Sequence, residues 1–198
     1  MKSFGLSAGV LVVLAAVAGC GQDAGEKAAE KMIEKAIESN AGESGESVDA
    51  KVDVSSGEMT IAGQDEDGKA FKMKFGGDSA SIVSEDGTTE MLMGDAAKLP
   101  SDFPKDVPIY PGMKLEMTVK SPEDATFTLT GSSADPLDKV AKFYKDKAAA
   151  GGWTEQMSMA QGGQMQMLGY EKSGRVLNVN IIPKDGGGST ISLSTGNQ

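Results

Sequence analysis

Asp135-Pro136-Leu137-Asp138-Lys139-Val140-Ala141-Lys142-Phe143-Tyr144-Lys145-Asp146-Lys147-Ala148-Ala149-Ala150-Gly151-Gly152-Trp153 holds one helix with both ends marked. Asp135 is the expected N-cap, with Pro136 at the first helical position, where its missing N–H costs nothing. Leu137, Val140, Ala141, Tyr144 and Ala148 fall on one stripe at helical spacing, and Gly151-Gly152 ends the helix. Trp153 follows at the point where the chain must turn back, which predicts a buried anchor.

On either side of this helix the period changes from 3.6 to two. Upstream, Met113, Leu115, Met117 and Val119 alternate with Lys114, Glu116, Thr118 and Lys120, and Thr126 to Thr130 returns after the Ser121-Pro122 turn. Downstream, strands are expected at 153–160, 165–172, 176–182 and 190–194. The reading for residues 95–198 is therefore ββαββββ, an α+β domain with one helix packed on an antiparallel sheet. Residues 48–94 read as an antiparallel β-meander of five short strands, punctuated at Ser56-Gly57, Asp67-Gly68, Gly76-Gly77 and Asp86-Gly87. Its last strand is expected at Glu90–Met93. Between the two regions lies Leu99–Gly112, which holds four of the seven prolines. Proline fixes its own φ and biases its predecessor toward extended geometry, so this is a stiff strap. Phe103, Val107, Ile109 and Tyr110 are its grip on a core.

The N-terminus carries a different signal. Lys2 precedes an apolar run from about Leu6 to Ala16, shorter than the roughly 20 residues that span a bilayer. It ends on Val17-Ala18-Gly19-Cys20, which resembles a bacterial lipobox. The resemblance implies that residues 1–19 are a signal peptide, that Cys20 takes acyl chains, and that cleavage falls before it. Each buried methylene then contributes about 0.8 kcal/mol to anchoring. Gly21 after the cysteine is the choice expected for the outer membrane of a Gram-negative cell; otherwise the outer face of the cytoplasmic membrane is expected. Cys20 is the only cysteine, so the exported part must hold together without an internal disulfide.

Residues 20–47 comprise the lipidated cysteine, a tether, an amphipathic helix over 26–38 and a Gly/Ser/Glu linker. The helix repeats Glu-Lys-x-x three times, which puts Ala29, Met32, Ile33, Ala36 and Ile37 on one stripe. That stripe docks on its own chain, on an envelope partner, or on a second copy.

Leu99-Pro100, Asp102-Phe103-Pro104, Asp106–Gly112, Phe143-Tyr144, Gly151-Gly152-Trp153 and the Lys172–Arg175 hairpin together resemble a family of uncharacterised bacterial lipoproteins with an "LP-DFP-DVPIYPG" segment. The resemblance implies an exported α+β protein and brings no activity.

Composition removes several chemistries. Without histidine there is no Ser-His or Cys-His pair and no imidazole metal ligand. The net charge of −10 repels nucleic acid. Gln64–Lys69 lacks the spacing of a calcium loop and reads as a turn. No cofactor and no catalytic residue is indicated, and the reading is a non-enzymatic binding or structural module of the cell envelope. A carboxylate hydrolase is the remaining enzymatic reading. The alternative is metal-based. Met157-Ser158-Met159 and Met165-Gln166-Met167 resemble the copper(I) sites of some periplasmic proteins, because thioethers suit that ion. A two-residue Gly162-Gly163 turn would pair Met159 with Gln166 and Met157 with Leu168. Met157 and Met159 would then face the core with Trp153, and Met165 and Met167 the other side; only an odd-length loop or a bulge gathers all four.

Cys20→Ser is expected to abolish acylation and cleavage. Mass spectrometry of the membrane fraction checks this, and an unacylated mature protein starting at another residue refutes it.

Overall fold

The computed structural model describes residues 24–43, 47–53, 56–64, 68–121 and 125–197. The signal segment, Cys20 and residues 65–67 of the acidic loop lie outside them. The described chain is α+β: antiparallel strands with two helices, in two compact units that divide at Gly87/Thr88. None of its helices is long and apolar enough to cross a membrane.

The first unit holds helix α1 (Ala24–Glu43) and strands β1 (Ser47–Asp53), β2 (Glu58–Gln64), β3 (Ala70–Gly76) and β4 (Ser79–Ser84). The strands pair in chain order, each antiparallel to the next. Phe71, Met73 and Phe75 are half-buried and share a face with Ile61 and Ala50, whereas Lys72 and Lys74 point the other way and are exposed. This is the one-sided burial that alternating sequence encodes. Helix α1 runs past the expected end at 38 and packs along β1, with Glu34 accepting a hydrogen bond from the Val52 N–H at 3.1 Å. Its contact stripe is Ala29, Ile33 and Ile37; Met32, expected on it, is 68% exposed, and Ala36 is exposed too. Docking on a single strand covers a narrower arc than five apolar residues span, and Glu30 and Glu34 flank it instead.

The second unit holds β5 (Glu90–Gly94), β6 (Lys114–Ser121), β7 (Thr126–Ser133), helix α2 (Leu137–Ala150), β8 (Thr154–Gln161), β9 (Met165–Lys172), β10 (Arg175–Pro183) and β11 (Ser189–Asn197). Its strands lie in the order β5-β6-β7-β11-β10-β9-β8. The strand at Glu90–Gly94, expected to end the meander, pairs with β6 in this unit, Leu92 opposite Thr118. The two compact units divide at 87/88, whereas the sequence reading placed its boundary at 94/95.

Helix α2 buries Leu137, Val140, Ala141, Tyr144 and Ala148, the stripe read from the sequence. They pack on one sheet face against Leu129, Leu168, Leu177, Val179, Ile181, Ile191 and Leu193. Gly152, at φ +75°, reverses the chain, and the Trp153 N–H closes on the Ala148 carbonyl. Trp153 is 5% exposed, as its position predicted. Asp135 does not cap: Pro136, expected as the first helical residue, is itself the N-cap in extended geometry with no side-chain cap bond, and the Asp135 carboxylate accepts instead from Tyr110 Oη and Lys139 Nζ. At Gly131 a β-carbon would stand 2.3 Å from the Lys114 carbonyl oxygen, so no other residue fits beside the bulge between Leu115 and Met117.

Residues 88–198 are expected to unfold cooperatively as an isolated fragment. Fragment 95–198, lacking β5 and the buried Leu92, is expected to be less stable by about 2–5 kcal/mol, the cost of losing a buried leucine. Urea titration of both fragments checks this; equal midpoints would place the boundary back at 94/95.

Candidate functional site

The strap crosses the same face of the second unit's sheet as α2. Phe103 meets Phe127 edge-to-face at 5.5 Å, and Tyr110 meets Phe143 at 5.0 Å. Asp106 ties it down. Its carboxylate accepts from Lys172 Nζ at 2.9 Å and from the Arg175 guanidinium, and its backbone carbonyl accepts from Trp153 Nε1 at 3.3 Å. Both cations also lie over the indole, at 5.7 and 5.4 Å from its centroid. Three of the sequence segments that carried the family resemblance thus meet at one point. The Arg175 guanidinium, with Lys172 behind it, holds the Asp106 carboxyl at about 2. A second tie joins Tyr110 Oη to Asp135 at 2.7 Å, and with Lys139 and Lys142 it lines a shallow surface groove of about 390 Å³. Burial, then the Asp135 partner, push the Tyr110 hydroxyl up to about 12.

These carboxylates are poor candidates for acid catalysis. Asp102, Asp106 and Asp135 are each lowered by a neighbouring cation, whereas a general acid at a glycosidic bond needs a raised value. Among the described residues no group of three His, Cys, Asp or Glu could hold a metal.

The opposite face of the sheet is different. Reading directly across the strands, one row is Met93, Met117, Thr130, Ser192, Asn180, Met167, Met159. The next is Met91, Val119, Thr128, Ser194, Asn178, Gly169, Met157. A band of hydroxyls and amides thus runs between two methionine borders, and none of these side chains carries a charge. The intervening row, Leu92, Thr118, Leu129, Leu193, Val179 and Leu168, is fully buried on the α2 side. Met157, Met167, Asn178, Asn180, Ser192 and Ser194 line a small concavity of about 140 Å³ on the methionine-bordered face. Asn180 Oδ1 is buried there without a hydrogen-bond partner among the described residues.

All four candidate methionines lie on this face, contrary to the split that a two-residue turn would give. The loop is Gly162-Gly163-Gln164, with Gln161 opposite Met165, so Met159 faces Met167 and Met157 faces Gly169. Gly162 and Gly163 both have positive φ, and the Gln164 N–H bonds the Gln161 carbonyl at 2.8 Å. The third loop residue slips the register by one, which turns every following side chain over. A bulge between Glu155 and Met157 then lets Trp153 stay in the core while the methionines face out. The polar band was not singled out from sequence, although Asn178/Asn180 and Ser192/Ser194 alternate with buried residues there.

A family model described as START domain-like matches residues 115–188. The match runs from β6 through α2 to the loop before β11, under half of the chain. No curated protein and no solved structure matches.

Stability should carry the Asp106 signature. Its folded-state pKa lies below the ordinary 3.8, so its contribution is complete above about pH 4 and lost as pH falls through about 2. The carboxylate is about a third exposed, so solvent screening holds that contribution to about 1 kcal/mol. Asp106→Asn is expected to lower stability by that amount at neutral pH and to converge with the parent near pH 2. Urea midpoints across pH check it; a constant gap would refute it.

Proposed function

We propose that the chain is a lipid-anchored, non-enzymatic binding module of the bacterial cell envelope. Acyl chains on Cys20 would hold it at the membrane surface, at the outer membrane in a Gram-negative cell, and its ββαββββ portion would present the binding face. The observation that carries this reading is the pair of uncharged, methionine-bordered rows on the second unit's sheet. Methionine adapts its shape to what it meets, so a surface rich in it suits binding. The unpartnered Asn180 Oδ1 supports a ligand that brings a hydrogen-bond donor to an otherwise apolar contact, because buried acceptors are rarely left unpaired. The START domain-like match hints at ligand binding and points the same way. Helix α1 remains the proposed contact for an envelope partner or a second copy, through the exposed Met32 side.

A photo-crosslinking residue at Asn178 is expected to trap a defined adduct in native envelopes, and the same residue at Lys142, on the outer side of α2, is expected not to. Identical adducts from both positions would remove the face from consideration.

A further inference from the structure

We propose that Met157, Met159, Met165 and Met167 form a copper(I)-binding patch on the β8–β9 hairpin. The inference rests on reading this sheet face as a binding surface and names a soft metal ion as one ligand.

The register does most of the work. Met159 and Met167 are directly opposite, which places such β-carbons about 4.5–5.5 Å apart, and diagonal neighbours follow at about 7–8 Å. Met157 and Met165 are each diagonal to one member of that pair. A methionine side chain has three rotatable bonds, so the sulfurs of the Met159/Met167 pair and of one diagonal neighbour, Met157 or Met165, can swing onto a common point. Met157 has a particular freedom to do so. Its opposite residue is Gly169, and its Cβ and Cε lie 3.4 and 3.8 Å from where a Gly169 side chain would begin. The thioether occupies space that any other residue would fill, and it lines one concavity with Met167.

The chemistry of the surroundings sets the selectivity. Neighbouring side chains on this face are neutral amides and hydroxyls, with no imidazole or thiolate. The carboxylate of Glu171 sits beyond the bulge and accepts from Gln156. A set of thioethers with no hard anionic donor disfavours magnesium, calcium and zinc, and suits copper(I). Thioethers are neutral and give up no proton on binding, so affinity should not fall in mild acid as it does for histidine or cysteine sites. Met157 and Met159 are 39% and 50% exposed, so an ion or a copper donor can reach them without unfolding.

The test is anaerobic titration of the full chain with copper(I) against a chelating competitor. The expected result is one ion bound, with an affinity unchanged between about pH 5 and about pH 7. The double variant Met159→Leu, Met167→Leu is expected to bind at least about tenfold more weakly, and Met91→Leu, Met93→Leu on the far border to bind as the parent does. Leucine keeps the apolar area, so circular dichroism and the urea midpoint should be unchanged in the first variant. Copper lost with the fold retained supports the patch. A parent chain that takes no copper from the competitor, an unaffected Met159/Met167 variant, or binding that falls with acid overturns it. Retention of the Asn178 adduct in those cases leaves the binding-face reading standing, whereas loss of the adduct in the parent removes that reading separately.

Discussion

The strap is tied to the second unit at Asp102, Asp106 and Tyr110, and of these Asp106 gathers the most partners, so the arrangement around it follows from that attachment. Asp106 accepts from Lys172 and Arg175, which face each other as the closing pair of the β9–β10 hairpin, and its own carbonyl takes the Trp153 indole N–H. The node fixes three distant segments at once: the strap, the reversal after α2, and the hairpin tip. With the strap in place Phe103, Val107 and Tyr110 complete a core that α2 alone cannot cover, because one helix is about 10 Å wide and this unit contributes seven strands. The charges sit over an aromatic ring and remain partly solvated, which avoids the desolvation cost of a fully buried pair.

Covering one side of the sheet leaves the other to be defined by what the strands place there. In an acidic chain the ordinary solution is a charged outer face. Here the two rows across the sheet carry methionine, valine, threonine, serine, asparagine and glycine, and the acidic residues lie elsewhere. An uncharged strip on a highly charged molecule gives neutral or soft ligands a place where electrostatic repulsion is least.

Local pattern carried much of this fold. The α2 stripe, its glycine ending, Trp153 as an anchor and the strand alternation follow from spacing that needs no knowledge of distant partners. The features that were not legible are those where two local solutions are close in energy. Gly162-Gly163 suits a two-residue turn as well as it suits the observed three-residue loop, yet the choice decides which face four methionines occupy. A bulge at Gln156 has no residue signature and reverses that choice for Trp153. Asp135 has the chemistry of an N-cap, but Tyr110 Oη and Lys139 Nζ compete for the same oxygens and win. The pairing of β5 with β6 spans the whole strap and could not be read from the turns beside it.

The bulge has a consequence for solubility. Strand β8 is a sheet edge of eight residues, all exposed, with Glu155 as its only charge. Such an edge presents unpaired N–H and C=O groups to other chains and is a template for aggregation. The interruption between Glu155 and Met157 splits it, leaving Met157–Gln161 as the longest regular run. Five residues fall short of the six or seven that stack into stable cross-β assemblies, and the two parts of the strand offer opposite faces. The kink that turns the methionines outward therefore also keeps this edge from templating a fibril.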